Sequence, residues 1–380
     1  MAKTIFWLCL LLPFYAWIGY PLLLALLSLF VRPRPLQPGE PLSVSMIIAA
    51  HNEGPHIEHK LRTLLQQDYP ATDLQIILAS DGSSDDTVAT ATVMAVRDSR
   101  VLVLDLPRVG KTEALNAAVE LARNDILVFT DADNQWSGDT LGKLLAPLAD
   151  PQVGACGGHM IIPNLGHNLS LGDSLYRHYE AWLRQAENRT GCMVSADGAL
   201  LALRRELFQR IPAEVNDDFF ISTCAPVAGK RIVYVEEAQV LDQGVDEAGK
   251  QYRRRLRVTV GGLQSLAQRR ELMNPLRHGA YAIALISHKL IRRLAPVLLL
   301  PLLLCNLWLW NAGAFYSLGL VAQLLGYGAG VLGLLDSRGR LPKVFRLAGF
   351  VLVTLAGMSM GLWQFLRGQR YALWNPQQNR

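Results

Sequence analysis

Ile126-Leu-Val-Phe-Thr-Asp-Ala-Asp133 is the stretch whose reading decides the fold of this chain. Apolar and aromatic residues followed by Thr read as a short, buried parallel strand. Asp131 and Asp133 then stand at its carboxyl end, where open α/β sheets hold ligands. Residues i and i+2 of a strand share a face, so both carboxylates can approach one Mg²⁺ or Mn²⁺ ion that also holds a diphosphate. A lone D-x-D is more often the polar start of a loop, and the neighbouring sequence has to decide between the two.

Upstream, Ser43-Val-Ser-Met-Ile-Ile-Ala-Ala50 reads as a first buried strand ending at His51-Asn-Glu-Gly54. Apolar positions at 57, 61, 64 and 65 then follow helical spacing. The pattern repeats. Leu74 to Ala79 is a strand closing on Ser80-Asp-Gly-Ser-Ser-Asp-Asp86, whose serines are expected to cap a helix from Asp85 to Val96. Val101 to Leu104 is a third strand, Lys111 to Ala122 a third helix, and Ile126 to Thr130 the fourth strand. Strands alternating with helices of this length predict an α/β fold with a parallel, doubly wound sheet.

The tips of those strands carry acids. Glu53 follows the first, Asp81 the second, and Asp131 and Asp133 the fourth, while Lys111 opens the helix after the third. A nucleoside diphosphate needs such a set: carboxylates accepting from base and ribose, a metal on the phosphates, and an ammonium near the charge. Taken singly, Asp81 is a turn and capping residue and Lys111 a solvated first-turn charge; together they outweigh those readings. G-x-x-x-x-G-K-[ST] does not occur, and the one G-x-G-x-x-G, Gly328 to Gly333, falls inside an uncharged apolar segment rather than after a strand, which removes the main support for a dinucleotide or P-loop site.

Composition places the chain at a membrane. Of its 380 residues, Thr4 to Val31, Leu294 to Leu335 and Leu347 to Leu366 carry no charge. By length the first and last cross a bilayer once and the middle one twice, bent near Trp310-Asn311-Ala-Gly313, which predicts about four spans. The first is too long for the apolar core of a signal peptide and no A-x-A-like site follows it, so it reads as a retained anchor. Five cysteines show no CxxC pair, and neither a zinc site nor a disulfide framework is indicated.

The net charge of +5 hides an asymmetry. Residues 41–249 hold 16 Lys and Arg against 29 Asp and Glu, whereas residues 250–295 hold 11 against one. This basic collar next to the apolar segment suits anionic headgroups or phosphate handling equally. It does not suit nucleic acid, because aromatic interleaving is absent and the tether is a bilayer.

His51-Asn-Glu53, Ser80 to Thr87, Gly110-Lys-Thr-Glu-Ala-Leu-Asn116, Asp131-Ala-Asp133 and Cys156-Gly-Gly158 together resemble, in order, the family 2 glycosyltransferases of the GT-A fold. The resemblance covers roughly Leu42 to Leu266 and extends to the membrane helices. It implies a Rossmann-like, mostly parallel GT-A sheet domain flanked by transmembrane helices. It implies that Ala50, Glu53, Asp81, Lys111 and Asp131 bind the nucleotide sugar, that Asp133 with Asp131 holds Mg²⁺ or Mn²⁺, and that Gly157 and Gly158 lie near acceptor or diphosphate. After an expected helix from Asn168 to Glu187, the pair Asp217-Asp218 matches the family's acidic pair. That match gives Asp218 the role of general base and makes Asp217 its neighbour. Helix capping at the positive end of a dipole is the competing account of the pair.

Lys250-Gln-Tyr-Arg-Arg-Arg-Leu-Arg257 matches the Q-x-x-R-W of membrane-bound synthases at Gln251 and Arg254, but Arg255 stands where that motif has Trp. In those enzymes the Trp packs against acceptor sugar, so its absence weighs against long-chain processive synthesis. Arg253 and Arg254 are expected near the diphosphate, since a guanidinium presents a fork of donors to phosphate oxygens.

The sequence therefore predicts an anchor and linker over residues 1–40, a catalytic domain over 41–249, a basic interfacial segment over 250–293, transmembrane helices over 294–366 and a tail over 367–380. Basic residues at Arg32, Arg34, the collar and Asp336-Ser-Arg-Gly-Arg340 put the catalytic domain in the cytoplasm of a plasma or inner membrane. A full fourth span would send Arg367, Arg370 and Arg380 to the other side, against the same rule. The expected activity is inverting transfer from a nucleoside diphosphate sugar, UDP-sugar foremost, to a polysaccharide or lipid-linked glycan. The alternatives are single-sugar transfer to a lipid such as a polyprenyl phosphate, and, in another class, a non-catalytic accessory or transport subunit. The latter is disfavoured because the spans named above lack ionisable residues. Expected partners are donor, glycan or lipid acceptor, membrane lipids and export or accessory subunits, with no nucleic acid.

Overall fold

The computed structural model describes residues 1–31, 42–161, 170–242, 247–336 and 340–370. Arg32, Arg34, Asn168, Arg338 and Arg380, on which sequence expectations fall, lie outside the described residues. After α1 (Ala2–Ser28), the chain runs through β1 (Val44–Ala50), α2 (Gly54–Leu65), β2 (Leu74–Asp81) and α3 (Thr87–Arg97). It continues through β3 (Val101–Leu106), α4 (Lys111–Glu120), β4 (Ile126–Asp131), the short β5 (Gln135–Trp136) and α5 (Thr140–Leu145).

β1 pairs in parallel with β2 on one side and β4 on the other, and β3 continues the sheet beyond β2. Side chains alternate across these buried strands. Val44, Met46 and Ile48 pack on one face with Ile57, Leu61 and Leu64 of α2. Ile47 and Ala49 pack on the other with Ala114, Leu115 and Ala118 of α4. This two-sided burial is why β1 reads as a continuous apolar run rather than an alternating one. Two local expectations are corrected. The third strand runs on to Leu106, and α3 begins at Thr87 with Asp85, not a serine, accepting from the Thr87 amide at 3.1 Å.

The second half of the sheet is mixed. β6 (Val153–Ile161), β7 (Leu201–Arg204) and β8 (Arg231–Leu241) complete the order β3-β2-β1-β4-β7-β6-β8-β5. β7 is antiparallel to both β4 and β6. Between these strands lie α6 (Ser170–Arg189) and α7 (Asp217–Ser222).

Beyond the sheet, α8 (Ala248–Gln268) leads to α9 (Pro275–Trp308), α10 (Ala314–Leu335) and α11 (Lys343–Leu366). Among the described residues, helices α1, α9, α10 and α11 are the four that are long and apolar enough to cross a membrane. Two features of this region bear on expectation. First, α9 begins at Pro275 rather than Leu294, so His288, Lys289, Arg292 and Arg293 belong to its middle, in and just after a π-wound stretch at Ile286–Ile291. Second, α11, whose crossing the sequence leaves open, stays beside the sheet domain. Gly357 and Gly361 bring it so close to α8 that a Cβ would stand 2.9 Å from the Tyr252 and Leu256 carbonyl oxygens. At its end Arg370 Nη1 lies 2.6 Å from Glu214 Oε1, and Gln264 Nε2 donates to the Gln369 carbonyl at 3.3 Å.

Candidate active site

A cavity of about 680 Å³ opens at the carboxyl ends of β1 and β4 and runs between α8 and the middle of α9. That volume is in the range of small-molecule sites. Glu53, Asp131, Asp133, Lys111, Asp217, Asp218 and Arg254 line it, so the strand-tip acids and the acidic pair meet in one cleft.

The turn after β1 is built to deliver Glu53. Asn52 adopts φ 55°, and its side chain accepts from the Ser84 amide at 2.8 Å while its own amide donates to Ser83 Oγ. The loops after β1 and β2 are thereby clamped together. Asp81 has a different place from the one expected. Fully buried and outside the cavity wall, its carboxylate accepts from the amides of Val109 at 2.7 Å and Gly110 at 2.8 Å and from Arg108 Nη1 at 2.7 Å. It shapes the loop that launches α4, and Lys111 is the first residue of that helix.

Lys111 Nζ stands 2.9 Å from Asp131 Oδ1 and 2.9 Å from Asp217 Oδ2. Burial alone would lower its pKa, but the two carboxylates more than offset this and hold it above its usual range. Burial likewise pushes Asp131 up, and Lys111 reverses the shift, leaving the carboxyl below its ordinary value. Beneath the Asp131-Ala-Asp133 turn, Lys60 is fully enclosed, donating to Thr130 Oγ1 at 2.9 Å and to Asn134. Burial brings its pKa down to about 7.

Asp218 opens α7 beside Gly198, and its Oδ1 accepts from the Phe219 amide at 2.6 Å. The N-cap position of α7 belongs to Asn216, so capping does not use up the acidic pair. Burial, then the neighbouring Asp217 and Asp197 charges, push Asp218 up to about 6. A carboxylate that titrates near neutrality can take a proton at physiological pH.

Among the residues expected from the α8 motif, Arg254 lines the cavity, with burial and the adjacent Arg177 charge lowering it to about 10. Arg253 is exposed to the outside and does not reach it. Gln251 is fully buried behind the wall, its amide oxygen oriented to accept from Arg255 Nε at 3.0 Å. Arg255, standing in place of the motif's Trp, lies 3.5 Å from Asp173 and over the Tyr176 ring. Ala50, Gly157 and Gly158 are also outside the wall. The two glycines are packing positions, where a Cβ would collide with Ala196 and Leu200.

Sequence reasoning missed several wall residues. Arg184 grips Asp197 with both guanidinium nitrogens, the Nη2 contact being 2.7 Å. Asp242 follows β8 near Asp133, and burial and that neighbour push it up to about 6. Arg257 of the collar also faces the cleft, as do Lys289, Arg292 and Arg293 of α9. Their signal is present as basic residues spaced three and four apart at the mouth of an apolar helix, a pattern that suits headgroups and phosphate handling equally.

Asp131 and Asp133 are the hard-oxygen groups suited to a metal. The described residues contain no group of three or more His, Cys, Asp or Glu that could hold one alone. A divalent ion here would take its remaining ligands from substrate phosphates, which is how Mg²⁺ commonly binds. The donor set fits.

The chain is similar to known proteins in sequence and in fold. The model for the family described as Glycosyl transferase family 2 matches residues 45–211. An N-acetylglucosaminyltransferase of Rhizobium meliloti (strain 1021) is 28% identical over 249 residues, covering 60% of this chain and 56% of the relative. One from Rhizobium leguminosarum bv. viciae is 29% identical over 237 residues, covering 57% and 54%. The chain thus spans about half the length of these relatives. Among solved structures, the mannosyltransferase PcManGT from Pyrobaculum calidifontis, in complex with GDP-Man and Mn²⁺, superposes with a TM-score of 0.76. It is 22% identical and aligns over 97% of this chain and 100% of its own.

Proposed function

We propose that this chain, whose residues 45–211 match the family 2 glycosyltransferase model and whose fold is GT-A, is an enzyme of that family that moves a sugar, with inversion, from a nucleoside diphosphate sugar to a glycan or lipid-linked acceptor at a membrane surface. The observation that carries this reading is the convergence of Asp131, Asp133, Asp218 and Arg254 on one cleft beside the apolar helices. UDP-sugar is the foremost donor class in this reading. The membrane is a plasma or inner membrane with the cleft on its cytoplasmic face, as the distribution of basic residues favours.

In the proposed step, an acceptor hydroxyl oxygen attacks the anomeric carbon as the bond from that carbon to the diphosphate oxygen breaks. Asp218 takes the hydroxyl proton, and the nucleoside diphosphate leaves with the bonding pair. Glu53 and Asp131 face the nucleotide, and Arg254 faces the diphosphate. Asp133, with Asp131, would hold Mg²⁺ or Mn²⁺, which when bound supplies Lewis-acid neutralisation of the leaving group. Lys111 keeps Asp131 and Asp217 at fixed positions so that Asp217 raises the basicity of its neighbour.

The test is a panel of nucleotide sugars offered to purified protein in detergent, scored by released UDP or GDP and by product size. A ladder of products identifies glycan extension, and a single lipid product identifies the one-sugar reading. No release from any donor would overturn both.

A further inference from the structure

Most cations that line the cleft are matched by a carboxylate: Lys111 by Asp131, Arg184 by Asp197, and Arg292 by Glu180 at 2.6 Å. Among the described residues of the lining, Arg177, Arg257, Lys289 and Arg293 have no carboxylate within ion-pair distance, and of these only Lys289 and Arg293 stand together on one helix. They lie one turn apart in the middle of α9, and Arg293 Nη1 donates back to the Lys289 carbonyl at 2.8 Å. The Arg293 guanidinium rests against α8 at Gly262, where a Cβ would overlap it. Each also acts electrostatically on Asp218, so the pair faces the group assigned as base. Trp17 and Met358, from α1 and α11, complete this end of the wall, and directly beyond Arg293 the helix is uncharged from Leu294 to Trp308.

Two like charges held together in a partly desolvated wall are costly unless something of opposite charge joins them. An ammonium beside a guanidinium fork suits phosphate oxygens. Resting on the transferase reading above, we propose that Lys289 and Arg293 form an acceptor-side anion subsite that receives the phosphate of a lipid-linked acceptor. That contact holds the acceptor's reacting hydroxyl against Asp218 while its lipid chain remains with the apolar helices. The subsite is made of residues other than Asp131, Asp133 and Arg254, which the proposed function assigns to the donor.

Calorimetry on the full chain in neutral detergent, with farnesyl phosphate, farnesol, inorganic phosphate and UDP as probes, tests this. Farnesyl phosphate should bind at least about tenfold more tightly than farnesol, and inorganic phosphate at equal concentration should not displace it. Lys289→Met and Arg293→Met should each weaken farnesyl phosphate by about tenfold and leave UDP affinity within about twofold. Gly262→Ala, which crowds Arg293 without removing a charge, should weaken farnesyl phosphate alone, and it serves if the Met variants fold poorly. Equal binding of farnesol and farnesyl phosphate would overturn the subsite. Displacement by inorganic phosphate would overturn its lipid source, and loss of UDP in the variants would reassign the pair to the donor. Because binding is read without turnover, failure of the transferase reading would appear separately, as bound ligands with no sugar released from any donor.

Discussion

Lys111 Nζ lies 2.9 Å from Asp217 Oδ2, joining the helix after the third strand to the acidic pair that opens α7. The same ammonium reaches Asp131, so its removal leaves two carboxylates facing each other across the cleft. Lys111→Met should therefore cost about 2 kcal/mol of stability. Thermal unfolding in detergent would read this, and a variant as stable as the parent would remove the tie between Lys111 and the acids.

Activity should follow the ionisation of Asp218. Its pKa is raised to about 6 by burial and by the charges of Asp217 and Asp197, so the base form is lost as pH falls through that value. kcat/KM should rise with pH about a midpoint near 6 and level off above it. Asp217→Asn should move the midpoint down, because one raising charge is gone. A midpoint that stays in place in the variant would contradict the assignment of cause.

Metal dependence should be strict. Transfer is expected to need Mg²⁺ or Mn²⁺, and Asp133→Ala should lower it by roughly a hundredfold or more, since neutralising a leaving diphosphate is worth several kcal/mol. Full turnover in excess chelator would refute the metal role.

The tail after α11 should lie on the same side of the membrane as the catalytic domain. Arg370 is bound to Glu214, and α11 runs along α8 rather than away from it. Asp139→Cys and Gln369→Cys should react with a membrane-impermeant maleimide in the same vesicle orientation; the native cysteines are all buried and give little background. Labelling from opposite sides would show that α11 crosses.

The first half of the fold was legible because β1, β2 and β4 are buried on both faces and each is followed by a helix with its own apolar spacing. Local sequence and global packing agree there. β6, β7 and β8 were not legible. β7 is only four residues long and antiparallel, and its partner β6 contains Gly157 and Gly158, which pack closely but carry no strand signal. At the site, carboxylates at strand tips announced themselves by position. Asp81 looked the same in sequence, yet the Arg108 to Gly110 loop closes over it, and that closure depends on a tertiary path no local pattern encodes. Lys289 and Arg293 were hidden for the opposite reason. Basic residues at a helix mouth suit headgroups and phosphate equally, and only the cavity places them in one wall with Asp218.

The central claim is that the clustered acids form a sugar-transfer centre with Asp218 as the proton acceptor. Transfer and nucleotide binding measured side by side on Asp218→Asn test it most directly. The account predicts transfer reduced by about a hundredfold or more, the usual worth of a positioned base, with nucleotide affinity retained. Turnover at the parent rate in that variant would contradict it.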